Sequence, residues 1–189
     1  MTSDSVGSRL DRWQHTARTW GSDEDERRLE YACDRYLANP RDVYFRGIDV
    51  SAPPEVTFRW LCQLKAAPYS YDWLDNFGRR SPPELIPGLE QLRVGDRFMT
   101  IFDLVEFEPN RHITLEVRRL TALFGPAAVT YLVRASGPAS SRLLVKLVLG
   151  GRARPNPIGW AQRNLMPSLE LFMMRKQLLT LKQLAEAGS

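Results

Sequence analysis

Cysteine and histidine are scarce, with two of each in 189 residues. Cys33 and Cys62 lie far apart and belong to no CxxC or Cys/His spacing. That excludes a disulfide framework and fits a reduced, cytoplasmic chain. His15 falls in the N-terminal tail and His112 at the start of a strand pattern, neither with a partner at ligand spacing. No metal site is expected. GxSxG, HExxH, P-loop and GxGxxG patterns are all missing. Nucleophilic hydrolysis, zinc proteolysis and nucleotide binding therefore have no motif behind them, and no cofactor is expected. No apolar run approaches the roughly 20 residues of a membrane span, so stable membrane insertion is not expected. The opening Met1-Thr2-Ser3-Asp4 is polar, which predicts no secretory signal.

What is present is ordinary for a globular domain: 43% apolar and 25% charged residues. A single domain of this length buries about 70% of its unfolded surface. The net charge of +4 rests on arginine far more than lysine. Acidic residues outnumber arginines over 1–37, and the positive excess follows later. No basic block is dense enough, or interleaved with aromatics, for a nucleic-acid groove, so no nucleic-acid partner is expected.

Residues 1–40 read as an N-terminal extension and 41–189 as the domain proper. Over 1–21 there is no periodicity, which predicts a mobile tail. Ser22 and the acids Asp23 to Glu26 suit a helix start, and Leu29, Cys33, Tyr36 and Leu37 continue at helical spacing to about residue 37. From Val43 to Val50 the pattern is a strand. Ser51-Ala52-Pro53-Pro54-Glu55 opens a helix carrying Val56, Trp60, Leu61 and Leu64. Residues 66–95 form a structured loop with a helical turn near 72–76. Four strand segments follow: Arg97 to Glu108 (one long strand or a bent pair), His112 to Leu120, Ala127 to Ala135 and Arg142 to Leu149. In the second of these, Ile113, Leu115 and Val117 face one side, and Thr114, Glu116 and Arg118 the other. Period two with short turns predicts an antiparallel meander with one apolar face. The stripe Ile158, Leu165, Leu169, Phe172 and Leu179 predicts a terminal helix over 157–186 to cover it, kinked at Pro167.

This order, with the run Ile48-Asp49-Val50-Ser51-Ala52-Pro53-Pro54-Glu55 at the strand-to-helix junction, resembles the START-like superfamily (SRPBCC, polyketide cyclase/dehydrase) over about residues 43–186. The resemblance implies an α+β helix-grip fold: a curved antiparallel sheet wrapped around a long C-terminal helix, with a cavity between them. It also implies a bacterial protein that binds a hydrophobic small molecule, such as a lipid, a polyketide or an isoprenoid. A cyclase, aromatase or dehydratase acting on a polyketide-like substrate is the alternative, because the superfamily has no shared catalytic motif.

Within that frame the inward candidates on the sheet are Phe102, Leu115, Val117, Tyr131, Val133, Val145 and Leu147, faced by Leu165, Ser168 and Phe172 from the helix. Most of these would serve as ordinary core. Tyr131 is the best polar candidate, since a buried hydroxyl needs a partner. Arg46 shares a strand face with Ile48 and Val50. A surface place is the more ordinary one for an arginine; if buried it must be paired, and it would then anchor a carboxylate or phenolate. Tyr71, Asp72, Trp73, Asn76 and Phe77 form either a lid over the pocket mouth or a structural plug. Asp72, Asp75, Tyr71 and Tyr131 are the acid–base groups within reach, and no catalytic residue is assigned. Between Leu165 and Met174 the helix is apolar nearly all round, which leaves room for the N-terminal helix or a homodimer partner.

Overall fold

Alternating side chains in the second half of the chain set one sheet with two different faces. A computed structural model describes residues 15–71, 80–118, 125–151 and 157–188, with side chains in the last stretch from Ser168 onward. The strands are β1 (Asp42–Val50), β2 (Arg97–Phe98), β3 (Phe102–Glu108), β4 (His112–Val117), β5 (Ala127–Gly137) and β6 (Ser140–Leu149). All neighbours are antiparallel, in the order β1-β6-β5-β4-β3-β2. The segment expected over Arg97 to Glu108 is the bent pair β2–β3. It turns through Met99 and Thr100, both at positive φ.

Register confirms the alternation. Leu115 pairs with Val129, Ile113 with Tyr131, Tyr131 with Val145, and Val145 with Arg46, so these residues share the inner face. Helix α2 (Pro54–Cys62) and helix α3 (Pro157–Ala187) pack on that face. The helical backbone of α3 continues through position 167. Helix α2 begins at the expected proline, but its N-cap is Pro53, without a side-chain cap bond. The amide of Ser51 instead donates to Glu186 of α3, at 2.7 Å. The core joins Val50, Phe58, Trp60, Leu61, Leu104, Leu115, Val129, Leu178 and Leu181.

The outer face is covered as well. The helix expected over 23–37 is two short turns: α1 (Glu24–Arg27), with an Asp23/Glu26 capping box, and a 3₁₀ turn at Ala32–Arg35. The break between them lets Tyr31 and Cys33 insert against Ala128, Leu144 and Val148. That burial outweighs continued helix in a segment this short. The Cys33 amide donates to the Thr130 hydroxyl at 2.9 Å, and Thr130 bonds Thr114 at 3.0 Å. Arg142 grips Glu26, and Lys146 reaches Asp34.

Part of the expected tail is ordered too. Residues 15–19 form a helical turn with Ala17 buried. The chain then crosses the free edge of β1, where Gly47 donates to the carbonyl of Trp20 at 3.1 Å. A Cβ on Gly21 would stand 2.1 Å from the Gly47 oxygen, and Gly21 has φ +73, so glycine is required at this crossing. One strap therefore touches the inner layer, blocks an edge strand and covers the outer face.

Candidate functional site

The inner layer is not filled throughout. Between the sheet and α3 lies a cavity of about 250 Å³. Among the described residues it is lined by Pro68 and Ser70 from the loop after α2, and by Met99, Ile101 and Phe102 around the β2–β3 turn. Val129, Tyr131 and Leu147 line it from the sheet, and Leu169, Glu170, Met173, Met174 and Gln177 from α3. Its three methionines, Met99, Met173 and Met174, give a soft, adaptable apolar wall.

Ser70 apart, the polar side chains of that wall, Tyr131, Gln177 and Glu170, are organised in two different ways. Tyr131, fully buried on β5, donates to Gln177 Oε1 at 2.7 Å. The Gln177 amide nitrogen donates in turn to the carbonyl of Pro68 at 2.7 Å, tying α3 to the loop. Burial, helped by the charge of Glu170, pushes the Tyr131 phenol well above its ordinary range, so it stays a neutral donor.

The second group is an ion pair. Arg46 on β1 is 1% exposed and pairs with Glu170 of α3. Arg46 also donates to the carbonyls of Phe45 (2.7 Å) and Ala17 (2.8 Å), so the N-terminal strap helps to hold it. Its guanidinium lies 5.7 Å from the Tyr44 ring centroid. Burial pushes the Glu170 carboxyl up to about 7 even though Arg46 pulls it down, and burial lowers Arg46 in the same way. One Glu170 oxygen takes the Arg46 bond; the other, Oε1, is buried and has no hydrogen-bond partner.

The structure brings only part of the expected set together. Phe102 and Tyr131 line the cavity, while Leu115, Val117 and Val145 are buried core outside its lining. Arg46 is buried rather than at the surface, because a carboxylate and two backbone carbonyls replace its water. It stands behind Glu170 instead of lining the cavity. Phe172 does not face the sheet. It is 58% exposed and stacks on Tyr71 with ring centroids 4.5 Å apart and planes 7° from parallel. Leu169 is likewise 47% exposed. The buried face of α3 runs instead through Glu170, Leu171, Gln177, Leu178, Leu181 and Ala185, roughly one position round from the expected stripe. Asp72, Trp73, Asn76 and Phe77 lie outside the described residues, as do the side chain of Leu165 and the helical turn expected near 72–76.

Glu170, Gln177 and Met174 were missed. The signal for Glu170 lay in a lone acid within the apolar stretch Leu165 to Met174, matched by a lone arginine on an apolar strand face.

No metal-binding group of three His, Cys, Asp or Glu occurs among the described residues, and no described helix is long and apolar enough to cross a membrane. Both cysteines are free and buried, and burial raises their thiols, Cys33 to about 11 and Cys62 to about 12.

No family model matches the chain, and no curated protein matches it in sequence. Solved structures do match in shape. A Thermobifida fusca protein solved by NMR superposes with a TM-score of 0.53 at 11% identity, over 77% of this chain and 93% of that one. The di-domain ARO/CYC StfQ from the steffimycin biosynthetic pathway gives 0.51 at 12% identity, over 78% of this chain and 52% of that one. The fold is a helix grip. The α+β architecture expected from the sequence is thus the one found, its six strands being the expected first strand and the four meander segments, one of them the bent pair.

Proposed function

We propose that the protein is a START-like domain that binds or carries a hydrophobic small molecule in the cavity between its sheet and C-terminal helix, with residues 1–40 as an extension of that domain. The observation that carries this reading is the apolar space itself, left open in an otherwise close-packed layer. Packed interiors have few voids larger than a water, so a space of this size costs stability unless something occupies it. At about 250 Å³, as bounded by the described residues, it falls below the span of sites for drug-sized ligands. Within the set of lipids, polyketides and isoprenoids, this favours a compact occupant over a long chain. Tyr71 stacked on the exposed Phe172 stands close along α3 to the cavity residues Leu169 and Met173, and serves in this reading as part of the rim.

The test is uptake of 2-methoxynaphthalene followed by fluorescence, in the intact chain and in Leu147→Trp, which fills the space from β6. Saturable binding that Leu147→Trp weakens at least about tenfold supports the proposal. Equal binding by both forms places the probe elsewhere and defeats it.

A second reading is a cyclase, aromatase or dehydratase acting on a polyketide-like substrate. It is favoured by one observation: a cavity carboxyl, Glu170, raised to about 7, where a group exchanges protons readily at neutral pH. Turnover of an aromatic polyketide precursor that vanishes in Glu170→Gln while binding persists would establish it; unchanged turnover would remove Glu170 from any such role.

A further inference from the structure

Resting on the cavity reading, we infer that the cavity takes a compact hydrocarbon and turns away its oxygenated analogues, because the polar groups of the described wall are closed on one another. Gln177 is the centre of that closure. Its Oε1 accepts from the buried Tyr131 hydroxyl at 2.7 Å. Its amide nitrogen donates to the Pro68 carbonyl at 2.7 Å and stands 3.2 Å from Met99 Sδ. Both N–H groups and the oxygen are thus engaged inside the wall. Glu170 turns no oxygen to the space. One takes Arg46 in a buried contact; the other is buried, as is the unpartnered Nε of Arg46, so the leftover acceptor and donor belong to one ion pair. Ser70 is 9% exposed and is not free either. Backbone at the β2–β3 turn is spent as well: the Met99 amide donates to the carbonyl of Leu64 at 3.0 Å, and the Ile101 amide to that of Met99 at 2.8 Å.

The surface that the described wall leaves to an occupant is therefore apolar. Tyr131 is 0% exposed, whereas Met99, Ile101, Phe102, Leu147, Met173 and Met174 each keep part of their surface. A ligand hydroxyl or carbonyl entering this space gives up its water and meets methyl groups, thioethers and a ring. A charged group loses more. A hydrocarbon gives up no hydrogen bond, and the flexible methionines adapt to its outline. Among lipids, polyketides and isoprenoids, the fit is to an isoprenoid hydrocarbon; polyketides, oxygenated along their chains, fit worst. Tyr131 and Gln177 set this selectivity by spending their polar atoms on each other.

Paired titrations at pH 7 with 2-methylnaphthalene and 2-naphthol test this directly. The two probes share a ring system, and one carries a methyl where the other carries a hydroxyl. In the intact chain 2-methylnaphthalene should bind at least about tenfold tighter, the cost of burying one hydroxyl without a partner. Tyr131→Phe removes the donor held by Gln177 and leaves Gln177 Oε1 open to a ligand hydroxyl. The ratio should then fall to within about threefold. Should that variant fail to fold, Met174→Gln, which sets an amide of similar length in the accessible part of the wall, must lower the ratio in the same way. A smaller ratio in the intact chain overturns the hydrocarbon inference, while saturable binding of both probes leaves the cavity reading standing. A ratio that folded Tyr131→Phe leaves unchanged overturns the part given to Tyr131 and Gln177. One that Met174→Gln leaves unchanged overturns the apolar wall as its cause. Binding of neither probe overturns the inference and the cavity reading together.

Discussion

The two faces of the sheet are both buried, yet they are finished in different ways. On the outer face the N-terminal strap meets the strands with matched groups: the Cys33 amide on Thr130, Thr130 on Thr114, Arg142 on Glu26, Lys146 on Asp34. On the inner face α3 stands off the sheet near residues 169–177, leaving an apolar space and one carboxylate oxygen unpaired. That apolar space is the structural ground for the proposal that places function on the inner side.

Four measurements would break or sharpen that contrast. The largest effect is expected from Arg46→Ala. It strips Glu170 of its counter-charge and frees the carbonyls of Phe45 and Ala17, and should cost about 3–5 kcal/mol in chemical denaturation. A loss under about 1 kcal/mol would mean that the pair is not buried as described. Tyr31→Ala on the outer face should cost about 3 kcal/mol, since its ring is 3% exposed and its hydroxyl bonds the Glu26 carbonyl. It should leave probe affinity unmoved; a change in affinity would show that the two faces are coupled.

The pH dependence of stability comes next. The Glu170 carboxyl is raised from its ordinary 4.5 to about 7 in the folded chain, so the folded state holds its proton more tightly than the unfolded one. This contribution is fully present below about pH 4.5, is lost as pH rises to about 7, and is level above that. The decline amounts to roughly 3 kcal/mol. Asp96 and Glu26 act in the opposite sense at lower pH: against burial, Lys65 and Arg142 hold their carboxyls below the ordinary range. The difference between the intact chain and Glu170→Gln isolates the Glu170 part. If both curves keep the same slope between pH 4.5 and 7, Glu170 does not titrate there. The smallest effect belongs to Arg35→Ala, whose exposed ion pair with Glu106 should leave the melting curve unchanged.

Much of the fold was legible because strands of period two reveal themselves residue by residue. The inner set Leu115, Val117, Tyr131 and Val145 was read correctly as inward-facing. The site was less legible, for two physical reasons. Charged residues read as solvent-facing when taken singly, and Arg46 and Glu170 are 124 positions apart, so nothing local announces that each neutralises the other. The helix stripe also misled. Phe172 has apolar spacing but turns outward, where it finds Tyr71, and Leu169 is left half-exposed at the cavity, while Gln177 turns in to satisfy Tyr131. Similarly, Thr114 was placed with Glu116 and Arg118 on the face opposite the apolar one, and that face is covered too.

Whether the space under α3 is a ligand site is tested most directly by a crystal structure of the protein soaked in 2-methoxynaphthalene. The predicted result is ring density between Met99, Val129, Tyr131 and Met174 with the sheet unmoved. Side chains closed across that space, with no density among them, would contradict it.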